Sequence, residues 1–96
     1  SSYQGPSVVS YELAGRKASH LPIPAYRCQG GGEVKVLIGV NPAGAVVEAK
    51  VDESASSTDR CLRNYAIRAA RLSKFSIKSD APAKQNGYII YSFIAQ

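Results

Sequence analysis

The stretch GEVKVLIGVNPAGAVVEAKVD, residues 32–52, decides how the rest of the chain is read. Two runs rich in valine and isoleucine flank Asn41-Pro42-Ala43-Gly44, and strand formers bounding an Asn/Pro/Gly cluster of this length predict a β-hairpin. Side chains of an extended chain alternate, so Val34, Val36, Ile38 and Val40 share one face of the first arm, and Glu33, Lys35, Leu37 and Gly39 share the other. In the second arm Val47, Ala49 and Val51 alternate with Val46, Glu48 and Lys50, and the charged positions mark the wetter face. A hairpin alone is marginal in water, so the valine face demands a cover.

That cover lies downstream. Residues 53–59 form a loop carrying several N-cap candidates among its serines, Thr58 and Asp59. In residues 60–74, Leu62, Tyr65, Ala66, Ala69, Ala70 and Ser73 recur at the spacing of one helix face, and the small alanines let that face lie close on a sheet. Arg60, Arg63, Arg68, Arg71 and Lys74 share the opposite side with Ile67, and Phe75 is placed to close one end of the core. Residues 87–94 then read as a second strand with two apolar faces, Ile89, Tyr91 and Phe93 on one and Tyr88, Ile90 and Ile94 on the other. Such a strand is either central or flanked on its second face.

Upstream, residues 1–6 are polar, and residues 7–13 have strand composition, with Val9, Tyr11 and Leu13 on one side and Ala14-Gly15 as the stop. Residues 16–20 are polar. Leu21-Pro22-Ile23-Pro24-Ala25-Tyr26 cannot be a helix interior, because each proline fixes its own φ and biases its predecessor to extended geometry. It is expected to lie as a strap, with Leu21, Ile23 and Tyr26 against apolar surface. Gln29-Gly30-Gly31-Gly32 is a flexible connection, and its glycines precede a strand instead of opening a helix as a phosphate cradle requires.

Composition bounds the rest. Ninety-six residues with 45% hydrophobic content make one small domain with one modest core. No apolar run approaches the length of a membrane span, and no signal-peptide pattern opens the chain. The chain has no methionine, so residue 1 is not expected to be a natural translation start, and any anchor or targeting segment is expected upstream. The net charge of +5 permits attraction to phosphate, lipid head groups or an acidic protein and selects none of them. Cys28 and Cys61 both lie beside polar segments, where an exported protein could join them and a cytosolic one would hold two free thiols.

The predicted order of strand, strap, hairpin, helix and strand is an α+β two-layer sandwich. Its antiparallel β-sheet, the hairpin plus the C-terminal strand with a candidate extra N-terminal strand, is covered by one α-helix. An enzyme would need convergent acid, base or nucleophile groups, whereas the single His20 beside a proline strap reads as a surface residue, so no catalytic residue is assigned. Two cysteines and one histidine without close spacing do not make a metal set, and no cofactor is expected. Nucleic-acid binding has a superficial case in the basic helix and in Tyr88 and Tyr91, but these tyrosines alternate with isoleucine and phenylalanine as core residues do.

The sequence resembles the C-terminal periplasmic domain of the TonB family, the energy transducers of Gram-negative bacteria, and in particular the TonB-like domains of Bacteroidetes. The resemblance covers residues 24–93 of a single domain spanning residues 1–96, in which residues 32–96 form a β-β-α-β core and residues 1–31 the N-terminal strand and strap. It rests on Pro24-Ala25-Tyr26, Gly32-Glu33-Val34-Lys35-Val36 running into Val40-Asn41-Pro42-Ala43-Gly44-Ala45-Val46, Leu62 with Ala66, Ala69, Ala70 and Phe75, and Gly87-Tyr88-Ile89-Ile90-Tyr91-Ser92-Phe93. The chain departs from the family at Arg27, where a proline usually follows the tyrosine, and in the short connection before Gly32.

The resemblance implies a non-enzymatic, protein-binding function in the periplasm, anchored to the inner membrane through a segment outside this chain and linked there to a motor complex. The implied partner is the TonB-box peptide of an outer-membrane transporter, added as a strand to an edge formed by Gln85, Asn86, Gly87, Tyr88, Ile89, Ile90, Tyr91, Ser92, Phe93 and Ile94. A periplasmic location favours oxidation of Cys28 with Cys61. The strand at residues 7–13 is expected to compete for the same edge. A variant of the reading keeps the fold but binds peptidoglycan or another envelope protein without transducing energy. Edge pairing between two copies into a homodimer is a further expectation, and nucleic acid is not an expected partner.

Overall fold

The computed structural model describes residues 8–23 and 27–95. The polar residues 1–6, Ser7, the strap residues Pro24, Ala25 and Tyr26, and Gln96 lie outside the described residues. Along the chain the elements are β1 (Val8–Glu12), β2 (Ala18–His20), β3 (Gly32–Val40), β4 (Val46–Val51), α1 (Arg60–Leu72), β5 (Lys74–Phe75) and β6 (Gln85–Phe93).

The hairpin forms where the Asn/Pro/Gly cluster predicts it. In the β3–β4 turn the Gly44 amide donates to the Asn41 carbonyl at 3.0 Å, and the Asn41 side chain accepts from the Ala45 amide at 2.9 Å. Gly44 holds a φ of 96°, and a Cβ there would collide with the Phe75 carbonyl, so the position needs glycine twice over. Val34, Val36, Ile38 and Val40 are all buried, as their alternation requires. The second arm departs from strict alternation, because the register shifts between Gly39 and Val40 and sets Val46 opposite Val40. Val46 therefore packs on the core, while Val47 is 55% exposed. A β-bulge changes which side a residue faces, and nothing in the local pattern signals it.

The helix begins at the N-cap Asp59, whose carboxylate accepts from the Cys61 amide at 2.9 Å. It ends at Ser73, whose amide donates to the Ala70 carbonyl at 3.1 Å. Leu62, Ala66, Ala69 and Ala70 form its buried face and lie over β3 and β4. The main sheet is antiparallel in the order β1-β6-β3-β4, so the observed fold is an α+β sandwich with one helix against the sheet. The core joins Ile89, Tyr91 and Phe93 of β6 to the β3 valines, Leu62 and Phe75.

A second, two-stranded sheet pairs β2 with β5. The sequence gives no hint of it, since residues 16–20 read as polar connection. Within that stretch Arg16 is buried, at 6% exposure. Its Nη2 donates to the Ser76 carbonyl at 2.7 Å and the Asn41 carbonyl at 2.8 Å, and its Nη1 donates to Gln85 Oε1 at 3.3 Å. One guanidinium thus ties the hairpin turn, the chain after β5 and the start of β6. The strap is only partly as expected, because Leu21 packs on the core but Ile23 is 60% exposed.

Two stability outcomes follow from these contacts. Arg16→Met removes both guanidinium bonds to the Ser76 carbonyl and leaves the Asn41 carbonyl with the Gly44 amide alone, so it should lower unfolding free energy by about 2–3 kcal/mol in a urea titration. The Tyr91 hydroxyl is buried without a hydrogen-bond partner among the described residues. Burial pushes its phenol up to about 12, against the opposing effect of the neighbouring Ser73 hydroxyl. The neutral form is favoured in the folded state, so this contribution is intact below the unfolded value of 10.0 and is lost as pH rises through about 12. Tyr91→Phe should raise stability at neutral pH by about 1 kcal/mol and flatten the alkaline decline between these values.

Candidate functional site

The margins of the main sheet are where this fold offers main-chain groups to a partner. The segment expected to be an open edge is not one. β6 is paired with β3 from Gln85 to Phe93 and, on its other side, with β1 from Tyr88 to Ser92. The receiving edge implied by the family resemblance is therefore internal, and the strand at its flank is the chain's own N-terminal segment. Of the ten residues assigned to the docking edge, Tyr88, Ile89, Ile90, Tyr91 and Ser92 face β1 directly. Gly87 adjoins the end of β1, where a Cβ would collide with the Glu12 carbonyl. Ile94 follows the end of β6 and is 46% exposed.

Side chains as well as main chain hold β1 in place. Val9 and Tyr11 pack on the core, and Leu13, just beyond the strand, is buried at 4% exposure. The Tyr11 ring meets Phe75 edge-on at 5.5 Å, and its hydroxyl accepts from the Ala18 amide at 2.9 Å. The return from β1 uses Gly15 at a φ of 71°, with the Arg16 amide donating to the Leu13 carbonyl at 3.1 Å.

The outer margins are β1 and β4. On β4 the direction of the free groups can be read from the ladder. The Asp52 amide donates to the Lys35 carbonyl at 2.8 Å, which makes Lys35 and Asp52 a hydrogen-bonded position. Alternation along an antiparallel pair then turns Lys50 and Glu48 towards β3 and aims the main-chain groups of Ala49 and Val51 outward. Beside this edge runs a groove whose lining includes Ala49, Val51, Glu53, Arg60, Arg63 and Ile67, about 600 Å³ in volume, followed by a recess of about 200 Å³ where Arg71 meets Val46, Val47, Glu48 and Ala49. Arg63 is committed internally, donating to the Ser57 carbonyl at 2.6 Å and to Glu53 at 3.0 Å. Arg60 and Arg71 are exposed and have no carboxylate partner among the described residues.

The remaining candidate residues fall elsewhere. Tyr91 is in the core, while Tyr88 lies on the open face of the sheet under the Lys35 ammonium, 4.3 Å from the ring centre. His20 is exposed on β2. Cys28 and Cys61 are joined, with an S–S distance of 2.04 Å, so neither sulfur is a free thiol. The bond links the segment before β3 to the first turn of α1, across a separation of 33 residues. No group of three His, Cys, Asp or Glu side chains gathers as a metal set among the described residues, and no helix there is long and apolar enough to cross a membrane. At Asp52 the Ser54 hydroxyl, and further off the Lys35 ammonium, hold the carboxyl below its usual range and keep the turn after β4 capped. No family model, curated protein or solved structure matches this chain.

The disulfide closes a long loop, which constrains the unfolded chain. Reduction should lower unfolding free energy by about 2–4 kcal/mol. Iodoacetamide without reductant should add no mass to the native protein, whereas two adducts would show that the thiols are free.

Proposed function

We propose that this domain is a periplasmic protein-binding module of a TonB-like energy transducer, which docks the N-terminal TonB-box peptide of outer-membrane transporters by strand addition and supports active uptake. The observation that carries this reading is the relation of β1 to β6. A short strand of five residues already pairs with the candidate receiving strand, much as an added peptide would. Cys28–Cys61 supports a compartment in which disulfides persist. The order hairpin, helix and long final strand supports the family reading.

In this mechanism the incoming peptide replaces β1. The exchange trades one set of main-chain hydrogen bonds for another, so their net contribution is small. The balance is set by the side chains of Val9 and Tyr11 on the core and by the tether, which keeps β1 at an effective concentration of roughly millimolar or above. The closed form is therefore self-blocked, and capture requires a partner that binds β6 better than β1 does or a pull that withdraws the N-terminal segment.

A second reading retains the fold without energy transduction, as an interaction domain of another envelope protein. It is favoured by the occupied edge together with the exposed Arg60, Arg68 and Arg71, which suit an anionic envelope polymer such as peptidoglycan. Removing residues 1–12 while keeping the buried Leu13 separates the two. The truncated domain, checked for native fold by circular dichroism, should bind a labelled transporter N-terminal peptide about tenfold or more tightly than the full chain, as expected when a tethered competitor is removed. Unchanged or lost affinity in a folded truncation, with retention on peptidoglycan sacculi, supports the second reading and overturns the first.

A further inference from the structure

We propose that the β4 edge is a second and separate docking site, open in the closed form of the domain, which takes an extended acidic peptide segment with the pattern acid-x-apolar-x-acid. The inference does not depend on β6 or on the family reading. It starts from the outward main-chain groups of Ala49 and Val51, which have no strand beside them among the described residues. An unpaired edge of this kind accepts an extended chain by main-chain hydrogen bonds.

The helix decides what that chain must carry. Ala49 and Val51 sit opposite Ile38 and Val36, so their side chains are on the α1 side of the sheet. Alternate side chains of an added strand would project to the same side, into the groove between β4 and α1. They would meet Arg71 at one end, Ile67 midway and Arg60 at the other. Arg60 and Arg71 lie eleven residues apart on the helix, which separates their backbones by roughly 16 Å. Three alternate side chains on a strand span about 13 Å, so long arginines can meet the outer two while Ile67 faces the middle one. Glu53 also lines the groove but is paired with Arg63 at 2.8 Å, whereas Arg60 and Arg71 have no ion-pair partner among the described residues, so charge complementarity selects carboxylates for the outer positions.

A second copy of this chain fits less well. β4 would pair with its mate around Ala49, and Glu48 would then oppose Lys50. But α1 lies over β3 and β4, so the same symmetry would bring two helices bearing Arg60, Arg63, Ile67 and Arg71 side by side at about the closest spacing helices allow. Like charges would face each other there. A single added strand carries no helix and avoids this.

The test uses the full chain and a fluorescein-labelled probe, Thr-Thr-Glu-Thr-Val-Thr-Glu-Thr, titrated by anisotropy at low and moderate salt and mapped by amide shifts in NMR. Saturable binding is expected, with shifts concentrated on residues 46–51 and 60–71 and affinity falling as salt rises. A probe with both glutamates replaced by lysine, and a probe N-methylated at alternate amides, should each bind about tenfold or more weakly, the first by charge and the second by loss of pairing. On the protein side, Arg60→Glu with Arg71→Glu should weaken the acidic probe and restore the lysine probe. Removal of residues 1–12 should leave this binding unchanged, which separates it from capture at β6. Equal binding of the N-methylated probe, shifts centred on β1 and β6, no saturable binding at all, or a protein dimer lost on Ala49→Pro would each overturn the proposal.

Discussion

The close seating of α1 on β3 is the contact on which the rest of the molecule depends. Ala66, Ala69 and Ala70 present little more than methyl groups, so the helix axis can come near the sheet, and Leu62 is buried in the same core as Val34 and Val36. Burying these side chains is the main favourable term available to a chain this short. β3 has its apolar face under the helix and strands on both flanks. Its position in the middle of the sheet then leaves β6 and β4 to take the places beside it, and the arrangement of every edge follows.

Two ties hold the ends of β3 by different chemistry. At its start, Cys28 is bonded to Cys61 in the first turn of the helix. At its finish, Arg16 gathers the carbonyls of Asn41 and Ser76 with the Gln85 side chain. A guanidinium suits the second task, because its fixed fork can serve several acceptors that come from separate segments. A buried cation without a carboxylate is costly unless its donors are satisfied, and here carbonyl oxygens supply that satisfaction. The disulfide acts mainly on the unfolded chain, whereas Arg16 acts on the folded one.

The two flanks of the sheet are managed in opposite ways. On the β6 side the chain covers itself with β1, which protects an apolar strand that would otherwise be open to strand addition or aggregation. On the β4 side the defence is charge, with Glu48 and Lys50 along the strand and arginines overhanging it from α1. Self-coverage makes a flank conditional on displacement of its own strand. Charge leaves a flank available while restricting what can approach it. The proposed roles of the two edges differ for that reason.

Local pattern was enough for the hairpin, the helix and the long last strand. Valines at alternate positions of residues 34–40, the alanine face of residues 62–70 and the turn at Asn41-Pro42-Ala43-Gly44 each report a short-range constraint, and their burial agrees with it. The strand character of Val9 and Tyr11 was also legible, and so was the competition they pose for β6. Whether they win it was not, because pairing between distant segments depends on where the intervening chain leads and not on alternation within either strand. The same limit explains the β2–β5 sheet, the half-packed strap and the exchange of Val46 for Val47 at the bulge. Arg16 stood out in no way from the polar stretch of residues 16–20, and only the meeting of three remote segments around it made a buried site. The sequence by itself determined the helix, the hairpin arms, and the first strand and long last strand of the main sheet, since these depend on neighbours a few positions away, whereas β2 and β5 did not show in it. The tertiary structure alone decided which edges are closed, because an edge is a relation between strands and is defined only once all of them are in place.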